Sequence, residues 1–310
     1  MSKSIGLPIA AGLSSAVLYL MVVTGNPLGM LLIYLTPLPF VLLGLCEGLL
    51  PVVFGVVVGL VAVVAVMLSA APSYAVVTVI PALAVGRLAL LWRNDGGQAR
   101  WSEPGYVLAG LAMAAASLLL ILAAWLSNNG VGLEAVVSRH VGEFVDQVAK
   151  DVPAELRDSL ASVWTALFPA IAGFVWLTAA ALNGVLAQWI ATRTKQALRP
   201  TPDYAGLDLP PWYSVVVIGA AVLGLSVHGD IGYAFRNIAV LLLGVFVYVG
   251  LAAAHPWLKS RNNGAMLLGL FYVAFFVLFG WAVIAVAGLG LVRHWTRLLR
   301  HKSAAGSQEE

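Results

Sequence analysis

Charged side chains are scarce in this sequence. Lys, Arg, Asp and Glu make up 10% of the 310 residues, against roughly 25% in soluble domains. Between Ile5 and Leu91 only Glu47 and Arg87 carry a formal charge. The surrounding apolar runs approach the length of about 20 residues that crosses a bilayer as a helix. This scarcity excludes water as the main solvent and predicts an integral membrane protein.

Cysteine and the signatures of common enzymes are also lacking. Cys46 is the single cysteine, which excludes an intramolecular disulfide. The sequence contains no His-Glu-x-x-His zinc helix, no glycine-rich phosphate loop followed by lysine and no Cys/His cluster with metal spacing. We therefore expect no metal, no other cofactor, no enzymatic activity and no nucleic-acid partner.

Nine apolar runs approach spanning length, near residues 5–23, 28–46, 49–70, 74–92, 105–126, 163–191, 212–228, 235–254 and 265–292. Turn residues such as Asn94-Asp95-Gly96-Gly97 separate them. The second run contains Pro37 and Pro39 and the seventh is short, so either could be re-entrant. The predicted fold class is all-α, a polytopic transmembrane helix bundle with about 8–9 membrane segments.

The positions of basic residues predict how the chain is oriented, because positive loops stay in the cytoplasm. With a cytoplasmic N-terminus, one side collects Lys3, Arg93, Arg100, Arg193, Lys195, Arg199, Lys259 and Arg261. Eight full spans would also return the basic C-terminal segment to that side. We expect a multi-pass membrane protein whose N-terminus is cytoplasmic. Residues 1–300 would form a single integral membrane domain, and residues 301–310 a disordered polar tail.

Residues 131–160 form the only long polar insert. Six acidic residues outweigh three basic ones, which favours the external face. Apolar residues recur at helical spacing, namely Leu133, Val137, Val141, Val145, Val148 and Val152. We expect an amphipathic helix that lies on the bilayer or caps the bundle, or that acts as a lid over an entrance.

Four glycines predict close helix packing. Gly44, Gly48, Gly55 and Gly59 are spaced by four, seven and four residues, which would bring them to nearly one helical face where a second helix can approach. Pro51 interrupts the same stretch. We therefore also expect the helix to break or end near residue 47.

Polar residues inside the apolar runs are candidate ligand-binding residues, namely Tyr34, Thr36, Glu47, Arg87, Asn183 and Asn237. A salt bridge between Glu47 and Arg87 would lower the cost of placing either charge in lipid. Isolated Thr and Asn side chains more often bond a neighbouring helix than a ligand. Two interpretations stay open: structural polar contacts, or the lining of a small-molecule pocket.

A series of short motifs runs through most of the chain: Pro37-Leu38-Pro39, Gly44, Gly48, Pro81-Ala82-Leu83, Gly86-Arg87-Leu88-Ala89, Leu209-Pro210-x-Trp212, Asn237, Gly250-Leu251-Ala252, Leu289-Gly290-Leu291, Trp295 and Arg297. In this order they resemble the YybS-like family of predicted bacterial membrane proteins, a domain of unknown function. This resemblance implies a location in the bacterial cytoplasmic (inner) membrane. That family is distantly similar to the substrate-binding subunits of energy-coupling-factor vitamin transporters. The second resemblance, confined to the first four runs, implies a small-molecule pocket and a membrane coupling subunit as partner.

The sequence thus predicts a multi-pass membrane protein that binds or transports a small molecule without chemistry of its own. The alternative is a membrane scaffold or assembly protein without a ligand, whose helices pack on partner subunits. A lipid bilayer surrounds the protein in both hypotheses.

Overall fold

The structure, a computed structural model, describes residues 5–306 apart from residues 24 and 26. Most of these residues are helical, which confirms the all-α prediction. The helices are α1 (Gly6–Val23), α2 (Pro27–Leu32), α3 (Leu38–Glu47), α4 (Leu49–Val66), α5 (Ala71–Tyr74), α6 (Ile80–Ala89), α7 (Pro104–Asn128), α8 (Leu133–Val148), α9 (Ala154–Arg193), α10 (Trp212–Ser226), α11 (Gly229–Gly244), α12 (Phe246–Lys259), α13 (Gly264–Val277) and α14 (Phe279–Gly306). Short 3₁₀ segments (Ile33–Leu35, Leu68–Ala70) and a π-helical segment (Ala75–Val79) connect some of them.

Within the described residues, seven helical segments are long and apolar enough to cross a membrane: Gly6–Val23, Leu49–Val66, Leu68–Ala89, Pro104–Asn128, Ala154–Arg193, Gly229–Lys259 and Phe279–Arg300. Three shorter apolar segments accompany them, Ile33–Glu47, Trp212–Ser226 and Gly264–Val277. The first two of these are the runs predicted as candidates for re-entrant segments. The predicted run at 265–292 is divided, because helix α13 ends before Leu278 and α14 begins at Phe279.

Within the predicted membrane domain, the residues cluster into two compact units. The first unit comprises the chain up to Leu111 together with Val175–Asp203. The second unit comprises Ala112–Phe174 and the chain from Tyr204 onwards. Helix α14 continues to Gly306, into the segment predicted as a tail, and residues 307–310 lie outside the described residues.

Glycines bring α1 and α4 into close contact in the first unit. A Cβ atom at Gly12 would collide with the Gly55 carbonyl oxygen and would lie 3.0 Å from the Gly59 amide nitrogen. A Cβ atom at Gly55 would lie 2.9 Å from the Pro8 carbonyl oxygen. No side chain fits between these backbones, so close packing at Gly55 and Gly59 is confirmed.

The prediction that all four glycines share one helical face is wrong. Gly48 has a φ of 89° and separates α3 from α4, a backbone conformation that glycine adopts without steric cost. Gly44 therefore belongs to a different helix from Gly55 and Gly59. The break itself confirms the predicted end of a helix near residue 47.

A β-hairpin joins α6 to α7. Strands β1 (Trp92–Asp95) and β2 (Gln98–Trp101) pair antiparallel, with Trp92 opposite Trp101. Gly96 and Gly97 form the two-residue turn with φ values of 59° and 90°, as hairpin turns with two positive φ angles require. The sequence predicts the turn, but the two strands beside it were not predicted.

Glycines also set the helix contacts of the second unit. A Cβ atom at Gly224 in α10 would lie 2.8 Å from the backbone nitrogen of Arg236 in α11. Gly290 in α14 meets the Phe246 carbonyl oxygen of α12 in the same way. These contacts hold α10 against α11 and α12 against α14.

Candidate functional site

Pro169 interrupts the hydrogen-bond ladder of α9 inside the second unit. Proline has no N–H, so the carbonyl oxygen of Thr165, four residues earlier, loses its helical donor. The Tyr233 hydroxyl of α11 donates to that oxygen instead. A side chain from a neighbouring helix thus satisfies the backbone acceptor that the proline exposes.

Asn237 makes a second side-chain hydrogen bond to the backbone of the same helix. Its Oδ1 accepts a hydrogen bond of 3.1 Å from the backbone N–H of Ala170, and its Nδ2 donates to the Tyr233 carbonyl oxygen at 3.1 Å. Tyr233 and Asn237 are four residues apart on α11, so both side chains reach α9 from one face. Asn237, one of the predicted ligand-binding residues, is 1% exposed and makes structural contacts here.

A cavity of about 770 Å³ lies beside this repaired segment, entirely within the second unit. Its size is within the range of about 300–1,000 Å³ that small-molecule sites occupy. Residues from α8, α9, α10 and α11 line it, namely Glu134, Ser138, Asp158, Ala161, Ser162, Thr165, Ala166, Leu167, Ala221, Leu225, Tyr233, Arg236, Ala239 and Val240. The lining combines three charged side chains and four hydroxyls with an apolar wall.

The three charged residues that line the cavity are exposed, and none of them is ion-paired within the part of the chain that the structure describes. Among the described residues, none of the ion pairs within 4.0 Å includes Glu134, Asp158 or Arg236. Arg236 lies two turns inside α11, and its Nη1 donates only a long hydrogen bond of 3.3 Å to the Gly224 carbonyl oxygen. Ionisable groups in a spanning helix are costly unless they face a partner or a solvated space. The cavity supplies that space.

Helix α8, the predicted amphipathic helix, forms one wall of the cavity. Its buried residues are Leu133, Val141 and Val145, three of the apolar positions predicted from the spacing. The Asp230 carboxylate of α11 accepts a hydrogen bond of 3.1 Å from the Glu134 backbone N–H, so it caps the free amides at the start of α8. Leu133 packs in a buried cluster with Ala123, Tyr233 and Ala234. These contacts fix the start of α8 against α11.

The predicted residues Thr36 and Asn183 lie in the first unit and bond to protein groups. Thr36 Oγ1 is 2.8 Å from Thr78 Oγ1 and donates to the Ile33 carbonyl oxygen at 2.8 Å. Asn183 Nδ2 donates to the carbonyl oxygens of Tyr34 and Ala179 at 2.6 and 2.7 Å, while its Oδ1 has no partner among the described residues. The Tyr34 side chain itself is half exposed. None of these residues lines the cavity, and ligand binding by them stays a prediction.

Glu47 and Arg87 do not form the predicted salt bridge. Among the residues that the structure describes, no ion pair within 4.0 Å joins them. Glu47 ends α3 and is partly buried, whereas Arg87 is exposed in the last turn of α6. Both charges lie at helix ends, where water or headgroups can solvate them without mutual pairing.

A second polar cluster joins the loop before α10 to α14. The Asp208 carboxylate accepts hydrogen bonds from His294 Nδ1 at 2.8 Å and from Arg297 Nη1 at 3.3 Å. Burial alone would raise the pKa of the Asp208 carboxyl, but the hydrogen bond and charge of His294, with smaller contributions from the Leu209 N–H and Arg297, lower that pKa below its ordinary value. The cluster ties the loop to the helix. Within the described chain, no group of three His, Cys, Asp or Glu residues is arranged to hold a metal ion.

Three residues of this site were not predicted from the sequence, namely Arg236, Tyr233 and Pro169. The eighth apolar run, taken as 235–254, leaves Arg236 at its end, whereas α11 begins at Gly229 and carries Arg236 well inside a spanning segment. The available signals were the proline inside the sixth run and the Tyr-x-x-x-Asn spacing that answers it. Neither signal identifies its partner until α9 and α11 are known to be neighbours.

Taken together, the helices define a polytopic α-helical membrane protein with a charged cavity in one unit. Residues 14–292 match the family described as Predicted membrane protein (DUF2232), and the chain belongs to that family. No curated protein matches the chain, and no solved structure does. The similarity to energy-coupling-factor subunits and the narrower YybS-like description stay predictions.

Proposed function

We propose that this protein binds a small molecule in the cavity of the second unit and carries out no chemistry on it. The supporting observation is the cavity lining, in which Arg236, Glu134 and Asp158 have no ionic partner among the described residues. A spanning helix that carries an arginine towards an open space is typical of substrate sites in membrane proteins.

We further propose that the protein resides in the bacterial inner membrane with a cytoplasmic N-terminus. Transport of the bound molecule at the expense of ATP would then need a membrane partner that hydrolyses it, since the sequence has no phosphate-binding loop of its own. Such a partner would have the role of the coupling subunit that the sequence resemblance implies.

Thermal stability of the detergent-purified chain tests the binding proposal. The protein is heated with each member of a library of vitamins, nucleobases and bacterial polar lipids. We expect at least one compound to raise Tm by about 3 °C at ten times its Kd, because binding to the folded state alone stabilises it.

A pair of variants on α10 assigns that response to the cavity. Ala221→Trp fills the cavity, whereas Val222→Trp adds the same bulk at a neighbouring position that is exposed and does not line it. We expect the first variant to abolish the rise in Tm and the second to keep it. A response that is equal in both variants, or no response to any compound, would overturn the proposed function.

A further inference from the structure

The charged groups of the cavity come from three different helices and have opposite signs. Glu134 lies in the first turn of α8, Asp158 in the second turn of α9 and Arg236 in α11. An anionic ligand alone would satisfy Arg236 but would leave two carboxylates facing it. A cationic ligand alone would leave Arg236 uncompensated. A molecule with both an anionic and a cationic group can pair with all three side chains at once.

The remaining lining is suited to an apolar tail. Ala161, Ala166, Leu167, Ala221 and Leu225 supply small or aliphatic side chains. Leu225 and Val240 line the cavity and are also 82% and 43% exposed at the surface of the protein. Both residues belong to helices of spanning or near-spanning apolar character, so this exposed edge faces hydrocarbon when the protein is in a membrane. A ligand with a tail can therefore keep that tail in lipid while its polar end is bound.

Hydrogen bonds within the protein already occupy some of the hydroxyls in the lining, and this restricts where an anionic group of a ligand can bind. The Tyr233 hydroxyl already donates a hydrogen bond to the Thr165 carbonyl oxygen. Ser162 Oγ donates to the Ser159 carbonyl oxygen at 2.9 Å. The Ser138 and Thr165 hydroxyls can also donate, but Arg236 carries the one positive charge of the lining, so its guanidinium is the main donor for an anion. Its planar fork matches the two oxygens of a phosphate or carboxylate. A primary ammonium, with three donors, matches the two carboxylates.

From these contacts, and resting on the proposed function, we infer that the cavity binds an amphiphile whose polar end carries a phosphate at Arg236 and a primary ammonium at Glu134 and Asp158. A phospholipid with an ethanolamine headgroup has this chemistry. The same headgroup without its acyl chains lacks the part that occupies the apolar edge. We therefore expect the free headgroup to bind far more weakly than the lipid.

Lipid retention by the full-length protein tests this inference. Protein in a neutral maltoside detergent is incubated with phosphatidylethanolamine, phosphatidylglycerol or free phosphoethanolamine, and the bound molecules are counted by native mass spectrometry. We expect phosphatidylethanolamine to be retained at least tenfold more strongly than phosphatidylglycerol. We expect no retention of free phosphoethanolamine at the same concentration.

Four variants separate a cavity site from general lipid contact. Arg236→Gln should reduce retention of phosphatidylethanolamine tenfold or more, and Arg236→Lys should reduce it less, since it keeps the charge but loses the planar fork. Arg139→Gln removes an exposed positive charge of α8 that does not line the cavity and should retain lipid like the parent chain. Glu134→Gln combined with Asp158→Asn should shift the preference towards phosphatidylglycerol. Elution volume and Tm of each variant report whether it is folded.

The results also separate this inference from the proposed function. Equal retention of both lipids, equal retention by the parent chain and Ala221→Trp, or binding of free phosphoethanolamine without lipid would overturn the inference. If some other library compound still stabilises the parent chain but not Ala221→Trp, the proposed function holds and only the ligand class is wrong. If no compound and no lipid depends on the cavity, both proposals are overturned.

Discussion

The two units of this protein use their polar side chains in different ways. In the first unit, Ser15 Oγ lies 2.9 Å from the Tyr74 hydroxyl and 2.8 Å from the Thr36 carbonyl oxygen, and Thr36 bonds Thr78. These groups are buried and their hydrogen bonds stay within the protein. In the second unit, charged side chains surround an open cavity. A polar residue in an apolar run is therefore a weak indicator of a site, whereas a donor or charge left over after folding is a strong one.

Two arginines show the same difference. Arg199 of the first unit is 6% exposed and donates to the carbonyl oxygens of Ala89 and Ser102 at 2.7 and 3.0 Å. It connects the end of α6 with the end of the hairpin. Arg236 of the second unit lines a cavity and makes one long hydrogen bond to a backbone carbonyl. The first guanidinium stabilises a fold, and the second is available to a ligand.

The largest expected effect comes from the close packing of the first unit. Gly12→Val would place side-chain atoms against the backbone of Gly55 and Gly59 and force α1 away from α4. We expect a loss of about 3 kcal/mol of folding free energy, seen as a lower Tm and a lower yield of monodisperse protein.

Gly219→Val is the matched control for this substitution. Gly219 lies in α10 of the second unit, and apart from its chain neighbours and the backbone of its own helix no described atom lies within 4 Å of the position its Cβ would occupy. An unchanged Tm for Gly12→Val would contradict the close backbone contact between α1 and α4 in the first unit.

The next effect sharpens the role of Pro169 in the second unit. Tyr233→Phe leaves the Thr165 carbonyl oxygen without a donor, which costs about 1–2 kcal/mol. Pro169→Ala restores an N–H that can donate to the same oxygen, so Tyr233→Phe should cost about 1 kcal/mol less in that background. A double-mutant cycle from denaturant unfolding measures the difference. Additive effects of the two substitutions would show that the Tyr233 hydroxyl does not replace the N–H that Pro169 lacks.

A smaller effect is expected from the hydroxyl pair of the first unit. Thr36→Val or Thr78→Val alone should lower the free energy of unfolding by about 1 kcal/mol, because the other hydroxyl loses a partner. The double variant should cost less than the sum of the single variants. Neither substitution should change the binding of a cavity ligand. Loss of that binding in Thr36→Val would contradict the purely structural role of the polar groups in the first unit and would indicate that Thr36 contributes to ligand binding.

The smallest effect concerns Asp208 and depends on pH. The folded-state pKa of this carboxyl is lowered, so its stabilising contribution is present above its unfolded value of about 3.9 and is lost as the pH falls through the folded value. Asp208→Asn should lower stability by about 0.5–1 kcal/mol at pH 7. The difference from the parent chain should vanish on acidification below that range. A difference that persists unchanged in acid would assign the effect to packing instead of charge.

Sequence patterns were sufficient for part of this molecule. Run length and scarcity of charge predict the all-α membrane fold, the spacing of Leu133, Val141 and Val145 predicts α8, and Gly48 lies where a break is expected. The prediction of a salt bridge between Glu47 and Arg87 was wrong. Two residues that lie in nearby apolar runs need not have their side chains within bonding distance. The cavity could not be predicted either, since Glu134, Asp158 and Arg236 are far apart in sequence and meet only through helix packing.

Pro169 has a consequence for how selectivity in such a cavity can evolve. As long as residue 169 lacks an amide hydrogen, the Tyr233 phenol is committed to the Thr165 carbonyl oxygen. A substitution that restores the amide would release the phenol and give the cavity wall a new donor, with no change in any residue that lines it. A substitution at residue 169 can therefore change the hydrogen-bond donors available to a bound ligand, although residue 169 does not line the cavity.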